Sequence, residues 1–102
     1  MKIEFLPAAR DEFLSAVSYY DSSEEGLGDQ FFGEVWSTIS RIVKHPHAWQ
    51  RISARTRRCL TKRFPYGVIY ETRPDSILII AVMHLHREPK SWQSRITEEP
   101  LR

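Results

Sequence analysis

His84, His86 and Arg87 near the end of the chain, and Arg63 upstream of them, carry side chains that can hold an anion or move a proton. A guanidinium is a planar fork of donors that fits a phosphate or a carboxylate. An imidazole titrates near neutrality and can serve as acid or base. His84 and His86 stand two residues apart, so on an extended chain they share a face. A second set of cations, Arg51, Arg55, Arg57, Arg58, Lys62 and Arg63, runs ahead of them. On a nucleic-acid surface such a run releases counterions and makes binding steeply salt-dependent. On a protein-binding surface it receives an acidic segment. His45, His47, His84, His86 and the single Cys59 show no recognised ligand spacing, so neither a metal site nor a cofactor is expected. Cys59 reads as a small buried hydrophobe rather than a nucleophile.

The net charge of +2 conceals a segregation along the chain. Residues 1–34 hold eight acids and two bases, residues 35–70 hold no acid and eight bases, and residues 71–102 hold five of each. That asymmetry points to a polyanion or an acidic partner, or to two halves that neutralise each other across the fold. With 102 residues, 41% hydrophobic and 27% charged, the chain suits one globular domain. It is divided here into a domain over residues 1–96 and a tail over 97–102. One cysteine cannot form an internal disulfide, which fits a reducing cytoplasm. No secretory signal is read at the N-terminus, and the longest apolar run, 77–83, is too short to span a bilayer.

The elements that must position these groups follow from pattern. Residues 2–6 alternate as a short strand, and Pro7 suits the first position of a helix. Ala9, Phe13, Ala16, Val17 and Tyr20 recur at helical spacing, with Asp11 and Glu12 expected near the helix start. Gly26 and Gly28 interrupt the pattern. A second helix carries Phe31, Phe32, Val35, Trp36, Ile39, Ile42 and Val43, and His45-Pro46 stops it. Tyr19, Tyr20, Phe31, Phe32 and Trp36 are expected in the core, with Phe32 or Trp36 alternatively on a partner-covered surface. Residues 47–56 read as a loop. Strands are expected over 57–64, 68–72 and 77–83, separated by turns at Phe64-Pro65-Tyr66-Gly67 and Arg73-Pro74-Asp75-Ser76. The last strand is apolar on both parities and should be central and covered on both faces. Pro89 should end it, and residues 90–96 should add a helical turn or two. The sum is a two-layer α+β domain: N-terminal strand, helical hairpin, three-stranded antiparallel meander and short C-terminal helix.

Arranged this way, the chain resembles the RelE/ParE family of toxins from bacterial type II toxin–antitoxin, or plasmid-stabilisation, systems. The resemblance is carried by Ala8-Ala9-Arg10-Asp11-Glu12, Tyr19-Tyr20, Gly28-Asp29-Gln30-Phe31-Phe32, His45-Pro46, Arg57-Arg58, Phe64-Pro65-Tyr66, Val68-Ile69-Tyr70, His84 to Arg87, Pro89 and Trp92. It implies a cytoplasmic toxin, neutralised by direct binding of a cognate antitoxin. RelE-like members cut mRNA on the ribosome, and ParE-like members poison DNA gyrase. The Phe-Pro-Tyr turn and the closing His-Arg-Glu-Pro and Trp look closer to the ParE-like side.

Metal-independent RNA cleavage needs a base for the 2′-hydroxyl, cations for the phosphate and an acid for the leaving oxygen. Arg87, His84, His86 and Arg63 are the candidates for that chemistry, and Arg87 stands where RelE-like members carry a catalytic arginine. Where ribosome-dependent relatives often place a tyrosine, this chain has Trp92. Indole is no acid at neutral pH, though it can stack on a base or plug a core. Arg55, Arg57, Arg58, Lys62 and Trp92 are the candidates for binding a partner or a nucleic acid. The expected mode is therefore binding to an essential target such as gyrase, with ribosome-dependent mRNA cleavage as the alternative.

Overall fold

The structure is a computed structural model that describes residues 1–87 and 91–97. Strand β1 (Lys2–Phe5) runs into helix α1 (Pro7–Ser23), and α2 (Leu27–Lys44) returns beside it. Then come β2 (Gln50–Arg51), β3 (Arg57–Leu60), β4 (Tyr66–Thr72), β5 (Ser76–His84) and a short α3 (Gln93–Thr97). The five strands form one sheet in the order β1-β5-β4-β3-β2. β1 lies parallel to β5, and the remaining pairings are antiparallel. The expected α+β architecture holds. No helix among the described residues is long and apolar enough to cross a membrane.

Pro7 occupies the first turn of α1, where its missing N–H costs nothing. Asp11 and Glu12 do not serve the helix start as expected, because the first turn of α1 holds no acid. Gly26 enters α2 with φ of 86°, a left-handed conformation that suits glycine. Its N–H and that of Gly28 both donate to Asp21 Oδ1 at 3.2 Å, which closes the hairpin joint. A Cβ on Gly28 would meet the Val17 carbonyl oxygen at 2.6 Å, so the close approach of the two helices requires glycine there. Asp29 in the first turn of α2 and Arg41 and Lys44 in its last turn complement the helix dipole.

Both helices cover one face of the sheet. Phe13, Phe31, Val35, Ile39 and Ile42 pack there against Cys59, Tyr66, Val68, Tyr70, Ile77, Ile79 and Val82. On the opposite face, Trp92 with Leu6, Ile52 and Ile96 covers Ile69, Leu78, Ile80, Ala81 and Met83. β5 is therefore buried on both faces, which accounts for its apolar residues at both parities. Each isoleucine so buried contributes about 1.5–3 kcal/mol.

Three expectations about the meander need correction. The segment 47–56 is not all loop, because Gln50 and Arg51 pair with Arg58 and Arg57 as a fifth, edge strand. The strand expected over 57–64 ends at Leu60. Thr61 closes the turn instead, its N–H donating to the Tyr66 carbonyl at 3.0 Å and its Oγ1 to the Phe64 carbonyl at 2.6 Å. Tyr66 and Gly67 thus belong to β4 rather than to the turn. The Arg73–Ser76 turn stands as expected, with bonds between the two end residues. α3 begins at Gln93. The expectations for Glu88, Pro89, Lys90 and the end of the tail, 98–102, concern residues outside the described ones.

Candidate functional site

β1 ends too soon to flank all of β5. Its last rung is the Leu6 N–H donating to the Ile79 carbonyl at 3.0 Å, after which the chain turns into α1. At the same level the β4–β5 register slips, from Tyr70 opposite Ile79 to Ile69 opposite Ala81, so Ile80 is the extra residue of a β-bulge. The second half of β5 therefore has β4 on one side and no strand on the other. Side chains stand in for the missing strand. Glu12 Oε1 accepts the Val82 N–H at 3.1 Å, and Arg95 Nη1 donates to the Ile80 carbonyl at 3.0 Å. Glu12 and Arg95 also bind each other in a two-pronged pair at 2.6 and 2.8 Å, which ties α1 to α3.

Beside this pair opens a cleft of about 510 Å³. Ser15, Ala16 and Tyr19 of α1 form one wall, Ser91 and Arg95 form another, and Val82, Met83, His84 and Arg87 lie along the strand end. Arg87 and His84, two of the residues picked from sequence, thus meet in one cleft. Arg87 is exposed; its backbone N–H bonds to the His84 carbonyl at 3.4 Å, and its guanidinium has no hydrogen-bond or ion-pair partner among the described residues. The His84 ring stands edge-on to Tyr66 at 5.2 Å and to His86 at 5.7 Å. Partial burial, and then the charges of Arg87 and His86, hold the His84 imidazole below its ordinary range. His84 Nδ1 accepts the His86 N–H at 3.1 Å, so the neutral ring carries its proton on Nε2. The ring therefore offers the cleft a donor, because its lone pair is already engaged. Burial pushes the Tyr66 phenol up, with Tyr20 adding to the rise and Arg87 opposing it. Tyr20 is also raised, by burial first and then by Tyr19. Both phenols stay protonated at neutral pH.

The remaining predicted residues lie elsewhere. Arg63 sits in the β3–β4 turn, bonded to Gln30 Oε1, with its guanidinium 5.4 Å from the Phe64 ring centre. It lines no part of the cleft. His86 contacts His84 without lining the cleft. Trp92 is 5% exposed and forms the centre of the second core, so its indole plugs that core and is not on the surface. Lys62 is exposed, and its backbone N–H is held by Glu34. Arg58 lies on the sheet face away from the helices' core, its stem over Gly67 and its Nη2 on Gln50 Oε1 at 3.0 Å. Among the aromatic residues assigned to the core, Phe31 is fully buried, but Tyr19 is 59% exposed. Phe32 and Trp36 reach the surface, the alternative allowed for them. Cys59 is buried, and burial raises its thiol.

Arg55 and Arg57 meet at the opposite end of the sheet. A pocket of about 190 Å³ is lined there by His47, Arg51, Arg55, Arg57, Tyr70 and Glu71, among others. Each cation is held by the protein. Arg55 Nε lies 3.4 Å from Glu71, Arg57 Nη1 donates to the Trp49 carbonyl at 2.9 Å, and Arg51 Nη1 donates to the Ala54 carbonyl at 3.1 Å. Arg73 is 3.4 Å from the other Glu71 oxygen. Tyr70 donates to the Pro46 carbonyl at 2.6 Å, and burial pushes its phenol up to about 12. Among the described residues, no three His, Cys, Asp or Glu side chains converge in a group that could hold a metal ion.

Sequence reasoning passed over Glu12, Ser15, Tyr66 and Arg95 as site residues. Glu12 and Arg95 are far apart in the chain and share no local signal. Tyr66 had been assigned to a turn.

An α+β sheet with a helical hairpin on one face, and a cleft at the end of its last strand, define a class that the comparisons resolve. Residues 3–89 match the family model described as the ParE toxin of the type II toxin–antitoxin system parDE. The chain belongs to that family of toxins. Among solved structures it is similar to a chain from the chromosomal ParDE toxin–antitoxin system of P. aeruginosa, at 10% identity and a TM-score of 0.60. That likeness covers 82% of this chain and 95% of the other, and it speaks for the fold. Nothing matches among curated proteins.

Proposed function

We propose that this ParE-family toxin arrests growth by binding DNA gyrase, and that a cognate antitoxin neutralises it by direct binding. The observation that carries the binding reading is the state of His84. Its Nδ1 is engaged by the His86 N–H and its imidazole is held neutral, so it offers no free base. The neighbouring Tyr66 phenol is pushed up, away from the range of a useful acid. Trp92 is buried in the core and cannot stack on a base. Arg87 remains as an exposed cation suited to gripping an acidic group.

Purified protein is expected to inhibit gyrase supercoiling in a dose-dependent way. Supercoiling left untouched at saturating dose overturns the gyrase assignment. A small acidic protein encoded beside this chain is expected to co-purify with it.

One observation favours a second reading, that of a ribosome-dependent mRNA endonuclease. Arg87 and His84 share a cleft, as a phosphate clamp and a hydrogen-bond donor to the reacting phosphate would. Under that reading Arg87→Ala or His84→Ala lowers cleavage about 10²-fold or more. Full toxicity in both folded variants removes it.

A further inference from the structure

In the antiparallel β4–β5 ladder, alternate residues of β5 turn their backbone groups toward β4. The Leu85 N–H bonds to the Pro65 carbonyl at 2.9 Å, which places residues 83 and 85 on the β4 side. Val82 and His84 therefore present their N–H and C=O groups to the cleft. Glu12 takes the Val82 N–H. The Val82 carbonyl and the His84 N–H have no hydrogen-bond partner among the described residues. An unpaired acceptor and donor on a strand edge that lines a cleft form a template for another chain.

Which two groups are open decides how a chain could lie there. An antiparallel partner exchanges both bonds with a single residue, Val82 or His84, but Glu12 holds the Val82 N–H and the His84 carbonyl accepts the Arg87 N–H at 3.4 Å. A parallel partner bonds instead to the C=O of one residue and the N–H of the residue two further on. Val82 C=O and His84 N–H are that pair, and β1 already runs parallel to β5 along the same edge. The walls leave room, because Ser15, Ala16 and Ser91 are small and the cleft holds about 510 Å³. Its mouth carries Arg87, which no carboxylate meets among the described residues.

We propose that this cleft receives one extended segment of a partner protein, laid parallel to β5 on the track that β1 leaves. One residue of the segment bonds to Val82 C=O and His84 N–H, and a carboxylate side chain of the segment binds Arg87. Main-chain bonds of this kind supply affinity, and the charged contact supplies selectivity. The proposal rests on the antitoxin reading above, and the antitoxin is the partner it assigns to the cleft.

The test uses the full chain and the acidic protein encoded beside it, by hydrogen exchange and titration calorimetry. In the free chain the His84 amide exchanges fast while that of Met83 is protected. In the saturated complex His84 exchange slows tenfold or more. Ser15→Trp, which fills the cleft from an exposed helix position, and Arg87→Glu each weaken binding tenfold or more. An unchanged His84 exchange rate in the complex, which needs no variant, overturns the proposal while the antitoxin reading stands. Wild-type affinity in folded Ser15→Trp does the same. A wild-type chain that fails to bind overturns the antitoxin reading, and the assignment of this occupant with it.

Discussion

The two ends of the sheet solve the same problem in opposite ways. β4 separates them by seven residues, about 20 Å at roughly 3.3 Å per residue. At one end, arginines crowd a small pocket, and each contacts a carbonyl or the single carboxylate of Glu71. Backbone pairing there is continued by the edge strand β2. At the other end charges are few, and the backbone is finished only in part, by two side chains from distant helices. A high density of cations therefore does not mark the readiest binding surface. Among the described residues, the end with fewer charges keeps a donor, an acceptor and a guanidinium without partners.

The sharpest way to break that contrast is to remove the stand-in for the missing strand. Glu12→Ala strips the Val82 N–H of its acceptor and leaves the largely buried Arg95 guanidinium without its carboxylate. A loss of about 3 kcal/mol in urea unfolding is expected, because breaking such a pair costs more than the pair contributes. A loss under about 0.5 kcal/mol would mean that the cleft end does not depend on this pair.

The cationic end is probed next, by alkaline pH. The Tyr70 phenol titrates near 12 in the folded chain and near 10 when unfolded. A group with a raised folded pKa contributes stability that is complete below its unfolded pKa and is lost as pH rises toward the folded one. Stability should therefore fall between about pH 10 and pH 12, by at most about 2.7 kcal/mol from this residue. Tyr70→Phe removes that part of the slope. At neutral pH it costs about 1 kcal/mol for the lost bond to Pro46. A slope unchanged in the variant would assign the alkaline loss to other tyrosines.

The smallest effect lies in the cleft. The His84 imidazole is held below its ordinary range, so its contribution to stability is present above about pH 6.5 and fades as pH falls further. In a proton NMR titration His84 should protonate at lower pH than a free histidine. Arg87→Ala should move it upward without fully restoring it, since burial is the larger cause. No movement would mean that Arg87 does not face the ring.

Much of the fold was legible because the pattern and the physics agree. Pro7, the helical stripes, His45-Pro46 and the doubly apolar β5 each reflect a local rule. β2 was not legible, because Gln50 and Arg51 show no alternation and pair only because β3 lies beside them. The end of β3 was missed because the Thr61 hydroxyl, not the Pro-Tyr-Gly sequence, closes the turn. Gly67 looked like a turn glycine, yet it serves packing, since a Cβ there would sit 3.1 Å from the Arg58 stem. At the cleft, Arg87 and His84 could be picked by residue type. Their surroundings could not, because Glu12 and Arg95 meet only through tertiary structure. Side-chain chemistry alone also could not tell that the His84 lone pair faces its own neighbour's N–H.

The parallel register that sets Lys2 opposite Ser76 and Phe5 opposite Ile79 also governs the order of assembly. The helical hairpin is local and can form in microseconds, but the sheet cannot close until a strand near the end of the chain finds one at its beginning. That long loop must be closed before its contacts stabilise anything, so refolding should be slow for a chain of this length. During synthesis β1 waits without its partner until the two helices and three strands between it and β5 have been made. When β5 follows, its apolar residues stay exposed until β1 and the helices receive them, and that interval is when the chain is most prone to aggregate.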